Sequence, residues 1–199
     1  PLQQPHPPIW IPGAGSKETI DFVAERRYSY MGIPYFHIDF FEKNFQSFRD
    51  ACEKYGYTAD PEQLGWLCPI YVAESDEQAW AEYEQHLFYF AKQLLKGLVV
   101  LPPGYTSPRS IAGINKALGQ FLSTVQTREE IERGAYAIVG SPQTVQRKLT
   151  EYIQRLGVGN LLGLFQLGTL PAELTKKNMT LFAQEVLPGL RKVLQPASA

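Results

Sequence analysis

Short apolar runs alternate with long amphipathic segments along most of this 199-residue chain. The runs are typical of buried strands, and the segments between them carry apolar residues at the three- and four-residue spacing of one helix face. Strands that alternate with helices favour a parallel sheet with the helices packed outside it. Roughly four such units fit in the chain, whereas a complete eight-unit barrel takes about 250 residues. The pattern therefore predicts either a small open α/β sheet or about half of a barrel.

We expect one domain, residues 1–199, in which one stretch interrupts the alternation. Residues 99–134 contain turn, proline and helix-capping signals and are predicted to be an insertion of short helices. Residues 195–199 are expected to be a flexible tail. The predicted strands are Ile9–Ile11, Tyr28–Ile33, Trp66–Val72, Tyr136–Gly140 and Asn160–Gln166, and a closing helix is predicted over Leu174–Leu190.

Charge and cysteine content exclude several kinds of protein. The formal net charge is −1, which does not favour a nucleic-acid partner or a polybasic membrane patch. No apolar run is long enough for a transmembrane helix. Cys52 and Cys68 lie on apolar faces, and no spacing of His, Cys and Asp is that of a zinc site. We therefore expect a cytoplasmic protein with no metal, nucleic-acid or membrane partner.

The stretch after the first predicted strand is the strongest candidate for a binding site. Gly13 and Gly15 flank Ala14 there, and Ser16 is placed to cap the helix that follows. Free backbone N–H groups and the positive end of the helix dipole suit a phosphate, to which Ser16 and Thr19 can add hydroxyl hydrogen bonds. An ordinary strand-to-helix loop with a capping serine has the same spacing, so both interpretations stay open.

Aromatic residues in loops indicate a second, apolar region. Tyr35 and Tyr105 lie beside glycine and proline, where they either wall a ligand pocket or pack on the surface. Gln166 ends the last predicted strand and would place an amide at the carboxyl edge of the sheet, where parallel sheets bind ligands. The junction at Ser141 and Pro142 resembles the one at Ser16, but a plain helix cap is favoured there because proline lacks an N–H.

Three blocks of residues carry a resemblance to a known family. They are Pro5–Gly13, Ala137–Val145, and Phe165–Gly168 together with Leu181–Pro188. In this order they resemble bacterial-luciferase-like flavin monooxygenases, whose fold is a (β/α)8 TIM-type barrel with a long late insertion. The resemblance implies an α/β chain that forms about the carboxy-terminal half of such a barrel, with a helical insertion before the last units. Because the chain begins at Pro1 rather than methionine, we expect a fragment or a processed product.

The resemblance also implies a cofactor and an activity. The chain would belong to a monooxygenase that uses reduced FMN and oxygen to oxidise a small organic substrate, with a separate reductase supplying the reduced flavin. The loop matches the family's flavin phosphate loop, although Gly15 stands where some members have glutamate. Ile33 and Pro34 match the strand end near the isoalloxazine ring. The implied cofactor-binding residues are Gly13, Ala14, Gly15, Ser16, Thr19, Ile33 and Pro34.

The catalytic residues are not identified in this chain. In the family the amino-terminal half supplies the other flavin contacts and commonly a histidine, so we expect these groups upstream of Pro1. The expected protein partner is therefore the missing amino-terminal half or a second copy of the chain. Two alternatives stay open: a deazaflavin- or NAD(P)H-linked oxidoreductase of the same fold, and a non-catalytic half-barrel that acts as an interaction module.

Overall fold

Five parallel strands, with helices packed against them, make up the part of the chain that the structure describes. The computed structural model describes residues 2–4, 6–94, 107–124 and 127–194. No helix among these residues is both long and apolar enough to cross a membrane. The strands are β1 Trp10–Gly13, β2 Ser29–Gly32, β3 Leu64–Val72, β4 Ile138–Gly140 and β5 Asn160–Leu164. The helices are α1 Lys17–Glu25, α2 Ile38–Lys54, α3 Asp76–Tyr89, α4 Pro108–Thr124, α5 Arg128–Gly134, α6 Pro142–Leu156, α7 Ala172–Leu181 and α8 Leu187–Leu194.

Strand β3 is the longest strand and pairs with three others. Strand β1 pairs with β2, and β2 pairs with the start of β3. Residues Gly65 to Pro69 of β3 then pair with the whole of β5. Strand β4 has three residues and pairs with the last three residues of β3, Ile70 to Val72. The main sheet is therefore β1-β2-β3-β5, and β4 extends only the carboxyl end of β3.

The main hydrophobic core lies between this sheet and helices α2 and α6. Because successive side chains of a strand point to opposite faces, every second residue of β3 is directed into that core. The predicted apolar stripe of α2 supplies Phe41, Phe45 and Phe48, all buried. Both cysteines, Cys52 and Cys68, are buried in the same cluster and do not form a disulfide. The β3 residues in the core are Leu64, Trp66, Cys68, Ile70 and Val72.

A fully buried side-chain amide continues the sheet where β5 ends. Asn178, on α7, accepts a 2.8 Å hydrogen bond from the Val72 N–H and donates one of 2.8 Å to the Ile70 carbonyl. A residue on a parallel neighbouring strand makes this same pair of bonds. Asn178 also donates to the carbonyl of Phe165, the residue that follows β5. The amide therefore takes the position of the next β5 residue. It provides hydrogen-bond partners for the Val72 N–H and the Ile70 carbonyl of β3, where β5 has already ended.

The other face of the main sheet is only partly covered. We call it the open face and define it by Trp10, Met31, Gly65 and Leu162. Gly65 leaves room there for the Trp10 ring and the Leu162 side chain, since a Cβ on Gly65 would lie 2.7 Å from the ring. Trp10, Met31 and Leu162 belong to neither buried cluster and line a cavity of about 270 Å³. Within the described part of the chain, the open face therefore leaves apolar side chains partly exposed.

The structure changes several predicted boundaries. The last strand ends at Leu164 rather than Gln166, because the chain turns away toward α3. The closing helix is two helices, α7 and α8, joined by a π-helical turn at Phe182–Val186. Within the predicted insertion, α4 and α5 are present as two helices. The predicted tail, residues 195–199, lies outside the described residues.

Replacing Asn178 by alanine should strongly destabilise the protein. The substitution leaves the buried Val72 N–H and Ile70 carbonyl without their partner, so we expect a loss of about 2–4 kcal/mol in the free energy of unfolding. Urea denaturation followed by circular dichroism measures it. Met179→Ala is the control, because that neighbouring side chain is half exposed and should cost little. Equal losses in the two variants would contradict the role assigned to the amide.

Candidate functional site

The predicted binding loop and the end of β2 lie side by side at the carboxyl edge of the sheet. The Ile33 N–H donates to the Gly13 carbonyl at 3.3 Å, which extends the β1–β2 pairing by one residue. Ile33 and Pro34 therefore lie next to the loop that runs from Gly13 to Ser16. Ser16 caps α1, as predicted, by accepting a 3.2 Å hydrogen bond from the Thr19 N–H. The structure thus brings together the two groups of residues that the resemblance assigned to one cofactor.

The start of α1 retains unused hydrogen-bond donors. The Gly15 N–H donates to the Tyr30 hydroxyl at 3.0 Å, so this amide is occupied. The Ser16 hydroxyl donates to the Thr19 hydroxyl at 2.8 Å, which leaves the Thr19 hydrogen available. For the amides of Ser16 and Lys17, the described residues provide no partner, as expected for the first turn of a helix. Two amides and one hydroxyl are therefore available to an anion at this point.

The two loop glycines are also required by packing. A Cβ on Gly13 would lie 2.6 Å from the Tyr30 ring. Gly15 has φ of +81°, and a Cβ there would overlap the Asn44 side-chain amide. A glutamate at position 15, as in some family members, would need Asn44 to move. The glycines therefore show how closely Tyr30 and Asn44 pack beneath the loop, and they do not by themselves indicate phosphate.

The Glu18 carboxylate joins this loop to the inserted helix α4. It accepts hydrogen bonds from the Ser107 N–H at 3.1 Å and from the Ser110 hydroxyl at 3.0 Å. The hydrogen bond from its own backbone N–H, followed by those from Ser107 and Ser110, lowers the pKa of Glu18 to about 2. The carboxylate is therefore ionised at neutral pH and occupies the start of α4.

The described loop supplies hydrogen bonds but little positive charge. Lys17 is the one basic residue between Gly13 and Thr19, and its ammonium group is paired with Asp21 at 2.6 Å. A phosphate bound at the start of α1 would also lie near the ionised Glu18. The residues present can therefore donate hydrogen bonds to a phosphate at the start of the helix, but they do not supply a cation to balance its charge.

The junction at Ser141 is a helix cap, as predicted. Ser141 caps α6, and its own N–H donates to the Asp76 carboxylate at 2.6 Å. The Thr144 hydroxyl donates to the other oxygen of the same carboxylate at 2.9 Å. An internal carboxylate thus already occupies the start of α6, where an external anion would have to displace it.

Of the predicted pocket residues, Tyr35 has the most distinctive environment. It follows Pro34, has φ of +82°, and its ring lies 5.2 Å from that of Phe90. Burial raises the pKa of Tyr35 to about 12, so its hydroxyl is protonated at neutral pH. Gln166 is exposed and donates to the Gly168 carbonyl at 3.2 Å, within its own loop. Tyr105 lies outside the described residues.

Phe90 lies next to Tyr35, and no motif in the sequence assigns it to this region. It begins a π-helical turn, Phe90–Leu94, that extends α3 and is partly exposed. A Cβ on Gly168 would lie 3.4 Å from the Phe90 Cβ, so the loop after β5 packs directly on it. The helical spacing of Phe90 carries no signal of the π turn, because that turn depends on contacts distant in sequence.

Known proteins match this chain in sequence family and in fold. The family model for luciferase-like monooxygenases matches residues 1–159. A monooxygenase from Streptomyces bottropensis is 21% identical, with a TM-score of 0.67 over 94% of this chain and 50% of its own. The oxygenating constituent of 3,6-diketocamphane monooxygenase from Pseudomonas putida, solved with FMN, is 18% identical, with a TM-score of 0.64 over 95% of this chain and 50% of its own.

A third solved structure with this fold is that of an enzyme that depends on a cofactor other than FMN. The coenzyme F420 dependent tetrahydromethanopterin reductase from Methanopyrus kandleri is 14% identical, with a TM-score of 0.58 over 91% of this chain and 50% of its own. No match was found among curated protein sequences. The chain therefore has the fold of these enzymes and spans about half of their length.

Replacing Glu18 by glutamine should change how stability depends on pH. The folded-state pKa lies below the ordinary value of 4.5, so the carboxylate stabilises the fold above pH 4.5 and this contribution is lost as pH falls toward 2. We expect Glu18→Gln to be less stable than wild type at pH 7 and the difference to shrink by pH 2.5. Thermal denaturation at both pH values measures it, and a difference independent of pH would contradict the ionised contact.

Proposed function

This chain belongs to the luciferase-like monooxygenase family, and from that membership we propose that it supplies half of a flavin-dependent monooxygenase. In this proposal it binds FMN through the loop after β1 and helps to oxidise a small organic substrate with oxygen. The observation that carries the proposal is the start of α1, where the amides of Ser16 and Lys17 and the Thr19 hydroxyl are available to an anion. Two buried, unpaired cysteines support a cytoplasmic location.

In the proposed site this chain binds and orients the cofactor. The amides at the start of α1 hold the phosphate, since the positive end of the helix dipole attracts an anion. Ile33, Pro34 and Tyr35 provide an apolar wall beside the flavin ring and exclude water from it. The bound flavin supplies the redox chemistry with oxygen. These residues of the chain position the flavin and shield its ring from water.

The choice of FMN rests on the phosphate and on one relative. The Pseudomonas putida enzyme was solved with FMN, whereas the Methanopyrus kandleri enzyme depends on F420. A terminal phosphate at a helix start suits FMN directly. We therefore favour FMN over a deazaflavin, and titration with each cofactor distinguishes them.

The proposed protein partner is an amino-terminal half of the same kind of barrel. Among the described residues β1 pairs only with β2, so its outer edge is unpaired. Strand edges of this kind pair readily with further strands. The open face carries partly exposed apolar side chains beside these strands, and the solved relatives are about twice as long as this chain. A second half would cover the open face and bring the cations that the phosphate loop lacks.

The double variant Ser16→Ala/Thr19→Ala should selectively weaken binding of FMN. Riboflavin lacks the phosphate, so the ratio of the two dissociation constants isolates the phosphate contact. We expect wild type to bind FMN more tightly than riboflavin, and the variant to lose about 1–3 kcal/mol of FMN binding with little change for riboflavin. Quenching of flavin fluorescence, on the chain alone and after mixing with an amino-terminal half, measures both constants.

Loss of the α1 cap could itself disturb the fold, so a matched variant is needed. Ser141→Ala/Thr144→Ala removes the same kind of cap from α6, whose start Asp76 already occupies. This control should leave the ratio of FMN to riboflavin affinity unchanged. The phosphate assignment would be wrong if both double variants changed that ratio equally, or if neither did.

Trp10 reports on the partner, because it lies on the open face while Trp66 and Trp80 are buried. In the chain alone, we expect acrylamide to quench Trp10 fluorescence at every protein concentration. Addition of an amino-terminal half-barrel of the family should shield it. The variant Trp10→Phe identifies which part of the fluorescence comes from Trp10. Shielding that grows with concentration in the chain alone would instead indicate a second copy, and no shielding in any mixture would contradict a half-barrel partner.

A further inference from the structure

One carboxylate lies between the starts of two helices. Glu18 is the second residue of α1, and its carboxylate turns back to accept a hydrogen bond from its own backbone N–H. One oxygen of this carboxylate also accepts from the Ser107 N–H, and the other accepts from the Ser110 hydroxyl. Glu18 therefore keeps the start of α1 and the start of α4 beside each other.

The described hydrogen bonds at the start of α4 converge on this carboxylate. The Ser107 hydroxyl accepts from the Ser110 N–H at 3.2 Å and donates to the Ser110 hydroxyl at 3.1 Å, which in turn donates to Glu18. Of the hydrogen bonds described for α4 and its cap, the two to Glu18 are those that reach another element. Because hydrogen bonds to an ionised acceptor are roughly twice as strong as neutral ones, this attachment depends on the Glu18 charge.

The amides proposed to hold the flavin phosphate are the immediate neighbours of Glu18. The amides of Ser16 and Lys17 directly precede that of Glu18, and the free N–H groups of a helix start point toward its amino-terminal end. A phosphate on the first two amides would therefore lie close to a carboxylate that is bonded to the third. Like charges within about 4–6 Å disfavour each other. The phosphate and the Glu18 carboxylate therefore compete for one helix start.

We propose that binding of the flavin phosphate and attachment of α4 through Glu18 oppose each other, so that FMN loosens the start of α4. This rests on the proposed function, because it takes the phosphate to lie on the amides of Ser16 and Lys17. A carboxylate that leaves the Ser107 and Ser110 donors can turn away from the phosphate, whereas one bonded to both cannot. Coupling of this kind is reciprocal, so a loosened α4 also lets FMN bind more tightly.

Glu18→Gln tests the effect of the charge on FMN binding. The amide keeps the size of the side chain and one oxygen acceptor, but it does not repel a phosphate. We expect FMN to bind about three- to tenfold more tightly and riboflavin to bind as in wild type. Quenching of flavin fluorescence measures both, on the full chain with and without an amino-terminal half. Glu25→Gln is the matched control, since it removes a charge from the last turn of α1, where Glu25 pairs with Arg26.

Ser110→Ala separates the attachment from the charge. It leaves the Glu18 carboxylate in place and removes one of its two bonds to α4. Through the coupling alone, FMN should bind roughly twofold more tightly, with riboflavin unchanged. Hydrogen exchange of residues 107–111, followed by mass spectrometry, measures the attachment directly. In wild type, FMN should speed this exchange and riboflavin should not, whereas in Glu18→Gln the exchange should already be fast without ligand.

Several outcomes would overturn the coupling. FMN slows the exchange of residues 107–111 or leaves it unchanged, Ser110→Ala leaves FMN affinity unchanged, or Glu18→Gln raises it no more than Glu25→Gln does. A ratio of FMN to riboflavin affinity that responds to Ser16 and Thr19 but not to Glu18 refutes the coupling alone. Equal binding of FMN and riboflavin by wild type, with and without the amino-terminal half, refutes the phosphate site and the coupling together.

Discussion

The arrangement of the whole chain depends on the hydrogen-bonding capacity of β3. The first part of β3 pairs with β2 and β5, and its last three residues pair with β4. The remaining groups, the Ile70 carbonyl and the Val72 N–H, are buried and cannot reach water, so they require a partner. Asn178 provides it with a side chain. Because an amide replaces a strand here, β5 is free to leave the sheet early and send its loop across to α3.

That early departure links the fold to the candidate site. If β5 continued beside β3 past Leu164, Gly168 would not reach the end of α3. Instead the loop packs on His86 and Phe90, and the π-helical turn lies opposite Tyr35. The Asn178 amide, which is hydrogen-bonded to the carboxyl end of β3, thus takes the place of further β5 residues at that edge. The site is built from positions that are distant in sequence and become neighbours only through β3.

Local features of the fold were predictable from the sequence, and long-range ones were not. The caps at Ser16 and Ser141 and the strand cores follow from rules that act over three or four residues. Asn178 carried no such signal, since an asparagine within a helix is ordinary until its partners on β3 are known. The short pairing of β4 with β3 and the contact of Phe90 with Tyr35 carried no sequence signal for the same reason. For the proposed phosphate site, the sequence indicated the candidate loop, while the hydrogen bonds that tie the Glu18 carboxylate to the start of α4 emerged only from the structure.

Among the starts of α1, α4 and α6, that of α1 is the better candidate for an anion site, although it lacks a cation. The starts of α4 and α6 are each occupied by a carboxylate of this chain, from Glu18 and Asp76. The start of α1 retains two amides but lacks a cation, since Lys17 is paired with Asp21. Hydrogen bonds at a helix start orient a phosphate, but a doubly charged group beside a carboxylate also needs opposite charge to bind tightly. A half-barrel that donates hydrogen bonds and leaves the charge to its partner would bind flavin well only once the barrel is closed, so assembly would precede function.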